Sequence, residues 1–121
     1  GLKDASLLKE TTEENPYDTH PHLRRLFVDK RAFDLFYYLF YNFVRPNRPY
    51  ADYSFLYYEF RAEGLIHEVT GKFYLETISK EPFSEENISN YTKLRIASHK
   101  SDNIKKRYKD SKLQFEATLR N

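Results

Sequence analysis

His20 and His22 stand two apart in the segment Asn15–His22 (NPYDTHPH), with Asp18 the nearest further ligand type. Two imidazoles and a carboxylate are part of a metal-ligand set, and they hold an ion only where a third group closes round it. On a loop carrying two prolines such a pair lies in solvent, so no metal is expected. His67 and Glu68 bring a base and an acid together in sequence, but neighbouring side chains point apart and cannot act on one proton. No Ser or Thr sits in a nucleophile-elbow setting. The three glycines, Gly1, Gly64 and Gly71, are too scattered for a phosphate-cradling loop. With no Cys, disulfides, thiolate metal sites and cysteine nucleophiles are excluded. These residues predict no enzyme, no metal site and no cofactor.

The chemistry on offer is electrostatic. The net charge is +2, but residues 91–121 hold nine basic side chains against three acidic ones, while the rest of the chain is slightly acidic. The candidate phosphate contacts are Lys72, Lys93, Arg95, Lys100, Lys105, Lys106 and Arg107, with Tyr74, Tyr91 and Tyr108 interleaved among them. A basic end on a near-neutral body meets phosphate, an anionic surface or an acidic partner. The bland alternative is a solvated helix whose basic residues suit its C-terminal end.

Those residues must be positioned by helices. Phe33, Phe36, Tyr37, Phe40, Phe43 and Val44 form a broad apolar stripe, extended by Leu35 and Leu39. They predict a buried helix over 30–44, capped by Asp29 and forming the centre of the core. Arg45–Pro49 (RPNRP) stops it, since proline forbids continuation. Tyr53, Leu56, Tyr57 and Phe60 fall at i, i+3, i+4 and i+7 of a second helix. Gly64 is placed to end that helix in the left-handed conformation, with Leu65 and Ile66 returning to the core. Thr70 caps a shorter helix carrying Phe73, Tyr74 and Ile78, broken near Pro82. Ser84 followed by Glu85 and Glu86 reads as another cap, with Ile88, Tyr91 and Leu94 on a helix over 88–97. Residues 98–103 read as a loop. Ile104, Tyr108, Ser111, Phe115 and Leu119 then share one stripe of a last helix, with Lys105, Lys109 and Lys112 on another face. Residues 2–15 are polar and read as a short amphipathic helix or as an arm that orders on docking, residues 15–22 as a loop and residues 23–28 as a helical turn or short strand.

The 121 residues are the size of one domain, with 1–22 as arm and loop and 23–121 as a single helical domain. Eleven Tyr and ten Phe fill a core with few helices, because each ring buries a large area. The longest apolar stretch, 32–44, is too short to span a bilayer. There is no Met, so the chain does not open at a natural start. Gly1 reads as a cloning remnant, with a signal peptide or a preceding domain removed.

The helix pair over 50–79 (YADYSFLYYEFRAEGLIHEVTGKFYLETIS), the Phe73-to-Ile78 spacing and the Arg107–Tyr108 pair resemble the RteC-type regulators of Bacteroidetes conjugative transposons. The likeness covers about 33–108, the C-terminal part of such a regulator. It implies a helical protein whose C-terminal domain carries a winged-helix-like DNA-binding element. In a helix-turn-helix the start of the second helix meets base edges while basic groups around it hold the backbone. The corresponding helix here, 71–79, offers Lys72, Glu76 and Thr77 and no Arg, Asn or Gln.

Together these readings predict a mainly α protein, a compact bundle of about five helices with a helix-turn-helix or winged-helix-like element. Its expected function is a cytoplasmic, non-catalytic, DNA-binding transcriptional regulator domain, with double-stranded DNA as partner. The alternative is a helical protein–protein interaction module, using its Tyr-rich surface on a protein partner or a second copy.

Overall fold

The computed structural model describes residues 15–83, 88 and 94–119. Among the described residues the chain is mainly helical, with five α-helices: α1 (Pro16–Thr19), α2 (Lys30–Asn42), α3 (Pro49–Ala62), α4 (Gly71–Ile78) and α5 (Asp102–Thr118). Two 3-10 turns, Pro21–Arg25 and Ile96–Lys100, supplement them.

Three of the longer helices start where the sequence offers a cap. Asp29 accepts from the Ala32 amide at 2.8 Å, Thr70 from Phe73 at 3.1 Å and Ser101 from Ile104 at 3.3 Å. Each bond satisfies an amide that the first turn leaves without a partner. Gly64 takes φ 73° and closes α3. The Leu65 amide reaches back to the Phe60 carbonyl at 2.9 Å and the Gly64 amide to Arg61 at 3.2 Å, the paired bonds of a Schellman ending. Leu65 and Ile66 then return to the core as expected. Phe27 and Ile66 form an isolated antiparallel bridge, the only β pairing among the described residues.

The aromatic rings make the core. Phe36 of α2 lies at its hub, with ring centroids 5.3 Å from Phe27, 5.4 Å from Phe60, 6.0 Å from Tyr74 and 5.4 Å from Phe83. One side chain thus ties the bridge, α3, α4 and the turn after α4 into one cluster. In the middle of α3 every side chain from Asp52 to Tyr57 is buried. The turn Ile96–Lys100 packs along it, fixed by the Arg95 amide on the Ser54 hydroxyl at 2.9 Å. The predicted 30–44 helix thus carries the hub of the ring cluster, and residues 95–100 cover its neighbour α3 from a second side.

Three local expectations are corrected. The loop over 15–22 folds instead as α1 and the start of a 3-10 turn, with Asn15 as cap and Tyr17 in the core. The helix over 88–97 is absent at 94–95, where the chain is non-helical before the Ile96–Lys100 turn. The loop over 98–103 is instead the end of that turn, the Ser101 cap and the start of α5. The expected arm over 2–14 and the Ser84 cap lie outside the described residues.

Candidate nucleic-acid interface

α5 has two basic faces with different roles. Its inward side buries Ile104, Tyr108 and Phe115. At the edge of that side, Arg107 turns into the protein. It donates to the Phe43 carbonyl at 2.9 Å and to Asp52 at 2.7 Å, with its guanidinium 4.6 Å from the Phe43 ring centroid. Asp52 is fully buried and also accepts from the Arg45 amide at 2.8 Å and the Arg45 guanidinium at 3.1 Å. A buried carboxylate is tolerable when its lone pairs are filled by charged donors. Lys112 is held as well, donating to Glu63 at 2.7 Å.

The outward side is different. Lys105, Lys106 and Lys109 are exposed on α5, and Lys100 is exposed at the end of the preceding turn. None of the four forms an ion pair among the described residues. Helical periodicity puts Lys105 and Lys109 one turn apart, with Lys106 beside them. This is a cluster of ammonium groups in water, able to face phosphate without first leaving another ion-pair partner. Asp102 and Asp110 lie on the same helix and temper its charge.

The remaining sequence candidates are placed elsewhere. Arg95 is exposed, with its guanidinium 5.9 Å from the Tyr50 ring centroid. Lys72 is exposed in the first turn of α4. Leu94 approaches that helix so closely that a Cβ on Gly71 would lie 2.7 Å from its Cδ1. Lys93 and Tyr91 lie outside the described residues. Of the seven candidates, Lys105 and Lys106 are exposed neighbours on α5, Lys100 is exposed at the end of the turn before it, Lys72 and Arg95 sit elsewhere, and Arg107 is an internal clamp. Tyr74 and Tyr108 are buried and unavailable for base stacking. The Tyr74 hydroxyl donates to the Tyr53 carbonyl at 2.8 Å, and burial pushes its pKa well up. Burial and the bond to Glu63 likewise push Tyr108 up.

The α3–α4 connection, residues 63–70, is eight residues long and contains the Phe27–Ile66 bridge, whereas a helix-turn-helix uses three or four. His67 is engaged with the Arg24 carbonyl at 3.2 Å, and His20 with the Pro16 carbonyl at 2.9 Å. The His20 and His22 ring centroids are 5.9 Å apart. No group of three or more metal-ligating side chains occurs among the described residues. No described helix is long and apolar enough to cross a membrane.

Lys109, read in the sequence on one face with Lys105 and Lys112, is exposed like Lys105, whereas Lys112 is tied to Glu63. The acidic side chains Asp52 and Glu59 of α3 and Glu63 at its C-cap hold Arg45, His99, Arg107 and Lys112, and nothing short of the tertiary pairing identifies those partners. Comparison with protein-family models, curated proteins and solved structures finds no match for the chain.

Proposed function

We propose that the chain is a non-catalytic DNA-binding domain of a cytoplasmic transcriptional regulator, gripping duplex phosphates with the outward face of α5. The observation that carries this reading is that Lys105, Lys106 and Lys109 of α5, and Lys100 just before it, are exposed, while Arg107 and Lys112 of the same region are tied inward. The resemblance of residues 33–108 to RteC-type regulators supports the same function. α4 exposes Lys72 and Glu76 and buries Thr77, so it offers little base-edge readout. Binding is therefore dominated by backbone contacts and is steeply salt-dependent, because each neutralised phosphate releases counterions. A salt titration of binding to random duplex DNA tests this. Lys105→Ala with Lys106→Ala should weaken binding to all sequences alike and flatten the log–log salt slope by roughly one unit for each phosphate left unneutralised. No affinity at low salt in a folded domain would overturn the reading.

A second reading rests on a different place. Phe40, Tyr41, Val44, Pro46, Pro49 and Tyr53 line a groove of about 310 Å³, and Tyr41 is 57% exposed. An aromatic and proline-lined surface of this kind suits a protein partner. Loss of DNA binding with retained fold would favour it.

A further inference from the structure

His22 carries a polar atom that the fold does not satisfy. Its Nε2 is buried and has no hydrogen-bond partner among the described residues. Buried polar atoms are ordinarily bonded, because a bond left unmade out of water is costly.

The surroundings of that atom are cationic. Side chains at i and i+3 of a 3-10 turn eclipse, so His22 and Arg25 of the Pro21–Arg25 turn share one face. The His20 ring stands edge-on to His22, with centroids 5.9 Å apart. Lys80 comes from a different element. The turn over 80–83 is closed by the Phe83 amide on the Lys80 carbonyl at 2.9 Å. The Phe83 ring lies 6.1 Å from Phe33, which lies 5.7 Å from Tyr17 of α1. That packing brings α1, the turn after it and residues 80–83 to the same end of α2. The charges acting on the His22 ring are accordingly those of His20, Lys80 and Arg25. Arg25 and Lys80 are exposed, and neither forms an ion pair among the described residues.

We propose that His20, His22, Arg25 and Lys80 form an anion site that takes a phosphate group, one oxygen of which supplies the partner that His22 Nε2 lacks. The site lies on elements other than α5 and stands whether or not α5 meets DNA. Charge decides against a metal in the same place. An ion held by two imidazoles needs further ligands, and no group of three or more metal-ligating side chains occurs among the described residues. Arg25 and Lys80 would also repel it. The carboxylates closest in sequence do not neutralise the group. Asp18 is paired with Lys30 at 3.2 Å, and Glu81 is exposed beside Lys80. A phosphate oxygen accepts, so Nε2 must carry a proton to donate to it. Without the anion, burial first, and then the charges of His20, Lys80 and Arg25, hold His22 below its ordinary 6.5, against a bond with the Glu81 backbone. A bound phosphate supplies the opposite charge and favours the protonated ring, so it raises the pH at which His22 titrates.

Imidazole nitrogen NMR on the 121-residue chain tests this, with inorganic phosphate titrated against chloride at matched ionic strength. Phosphate should shift the His22 ring saturably and raise its titration midpoint, and chloride should do neither. Lys80→Gln and Arg25→Gln should each weaken phosphate binding about tenfold, the factor expected for one lost charge-assisted hydrogen bond. Glu81→Gln should tighten it. A parallel titration with short duplex DNA separates the sources. A His22 response to DNA as well assigns the site to a nucleic-acid backbone, and a response to inorganic phosphate alone assigns it to a free phosphate. No saturable His22 response to inorganic phosphate, an equal response to chloride, or saturable binding of Zn²⁺ in its place would overturn the proposal. If a variant does not fold, the titration of the unmutated chain alone decides.

Discussion

Lys106 and Arg107 are adjacent and both basic, yet one faces solvent and the other fills the lone pairs of a buried carboxylate. Composition treats them alike. What separates them is the position of Asp52, 55 residues away in sequence on α3, and that is invisible before the chain is folded. Removing one partner of a buried ion pair leaves the others without compensation. Asp52→Ala should therefore cost about 3 kcal/mol, the lower part of the usual range, because Arg45 and Arg107 are each about one-third exposed and can turn to water. Chemical denaturation measures this, and a loss under about 1 kcal/mol would make the clamp ornamental. His22 offers a second residue-scale test. Its Nε2 is buried with no hydrogen-bond partner among the described residues. Burial holds the imidazole below its ordinary 6.5, assisted by the charges of His20, Lys80 and Arg25 and opposed by a bond with the Glu81 backbone. The unfolded chain then binds a proton that the fold refuses, so this contribution falls as pH drops below 6.5 towards the folded value. His22→Leu should flatten that part of the pH–stability curve. An unchanged difference between the two proteins across pH 6.5 would show His22 to be neutral to folding.

At the scale of elements, local signals succeed wherever a cap or a stop residue sets the boundary. Asp29, Thr70 and Gly64 each do so, because capping and positive φ are decided by a few adjacent atoms. α2 ends at Asn42, two residues before the predicted limit, and α5 starts two residues earlier than its apolar stripe. The two prolines of segment 15–22 suggest a loop in sequence. Both instead occupy first-turn positions, where proline's missing amide costs nothing. The turn Ile96–Lys100 is illegible in sequence because its anchors are Ser54, Glu59 and the rings of Phe55 and Tyr58, all distant along the chain. Gly64→Ala tests the best local signal. Its Cβ would meet nothing within 4 Å, so the expected loss of about 1 kcal/mol is backbone strain alone. A thermal melt that does not move would mean that the chain relaxes the positive φ at no cost.

For the whole molecule, aromatic abundance and helical spacing are enough to indicate a compact, mainly α domain, since large rings at a 3.6-residue period leave few other ways to bury them. The ring cluster converging on Phe36 explains how short helices hold together. Phe36→Ala should lower stability by ~3–5 kcal/mol, because its cavity opens onto several elements at once. A melting shift of only a degree or two would place the hub elsewhere. The candidate surface is less legible. A basic tail is evident in the sequence, but its division into inward clamp and outward cluster depends on the acidic side chains of α3 and of its C-cap. The most direct test of that outward cluster is an amide-resolved NMR titration of the folded chain with short duplex DNA at low salt. Shifts concentrated at Lys100, Lys105, Lys106 and Lys109, and reversed by added salt, are the predicted result. No shifts on α5, or shifts confined to the groove lined by Phe40, Tyr41 and Tyr53, would contradict it.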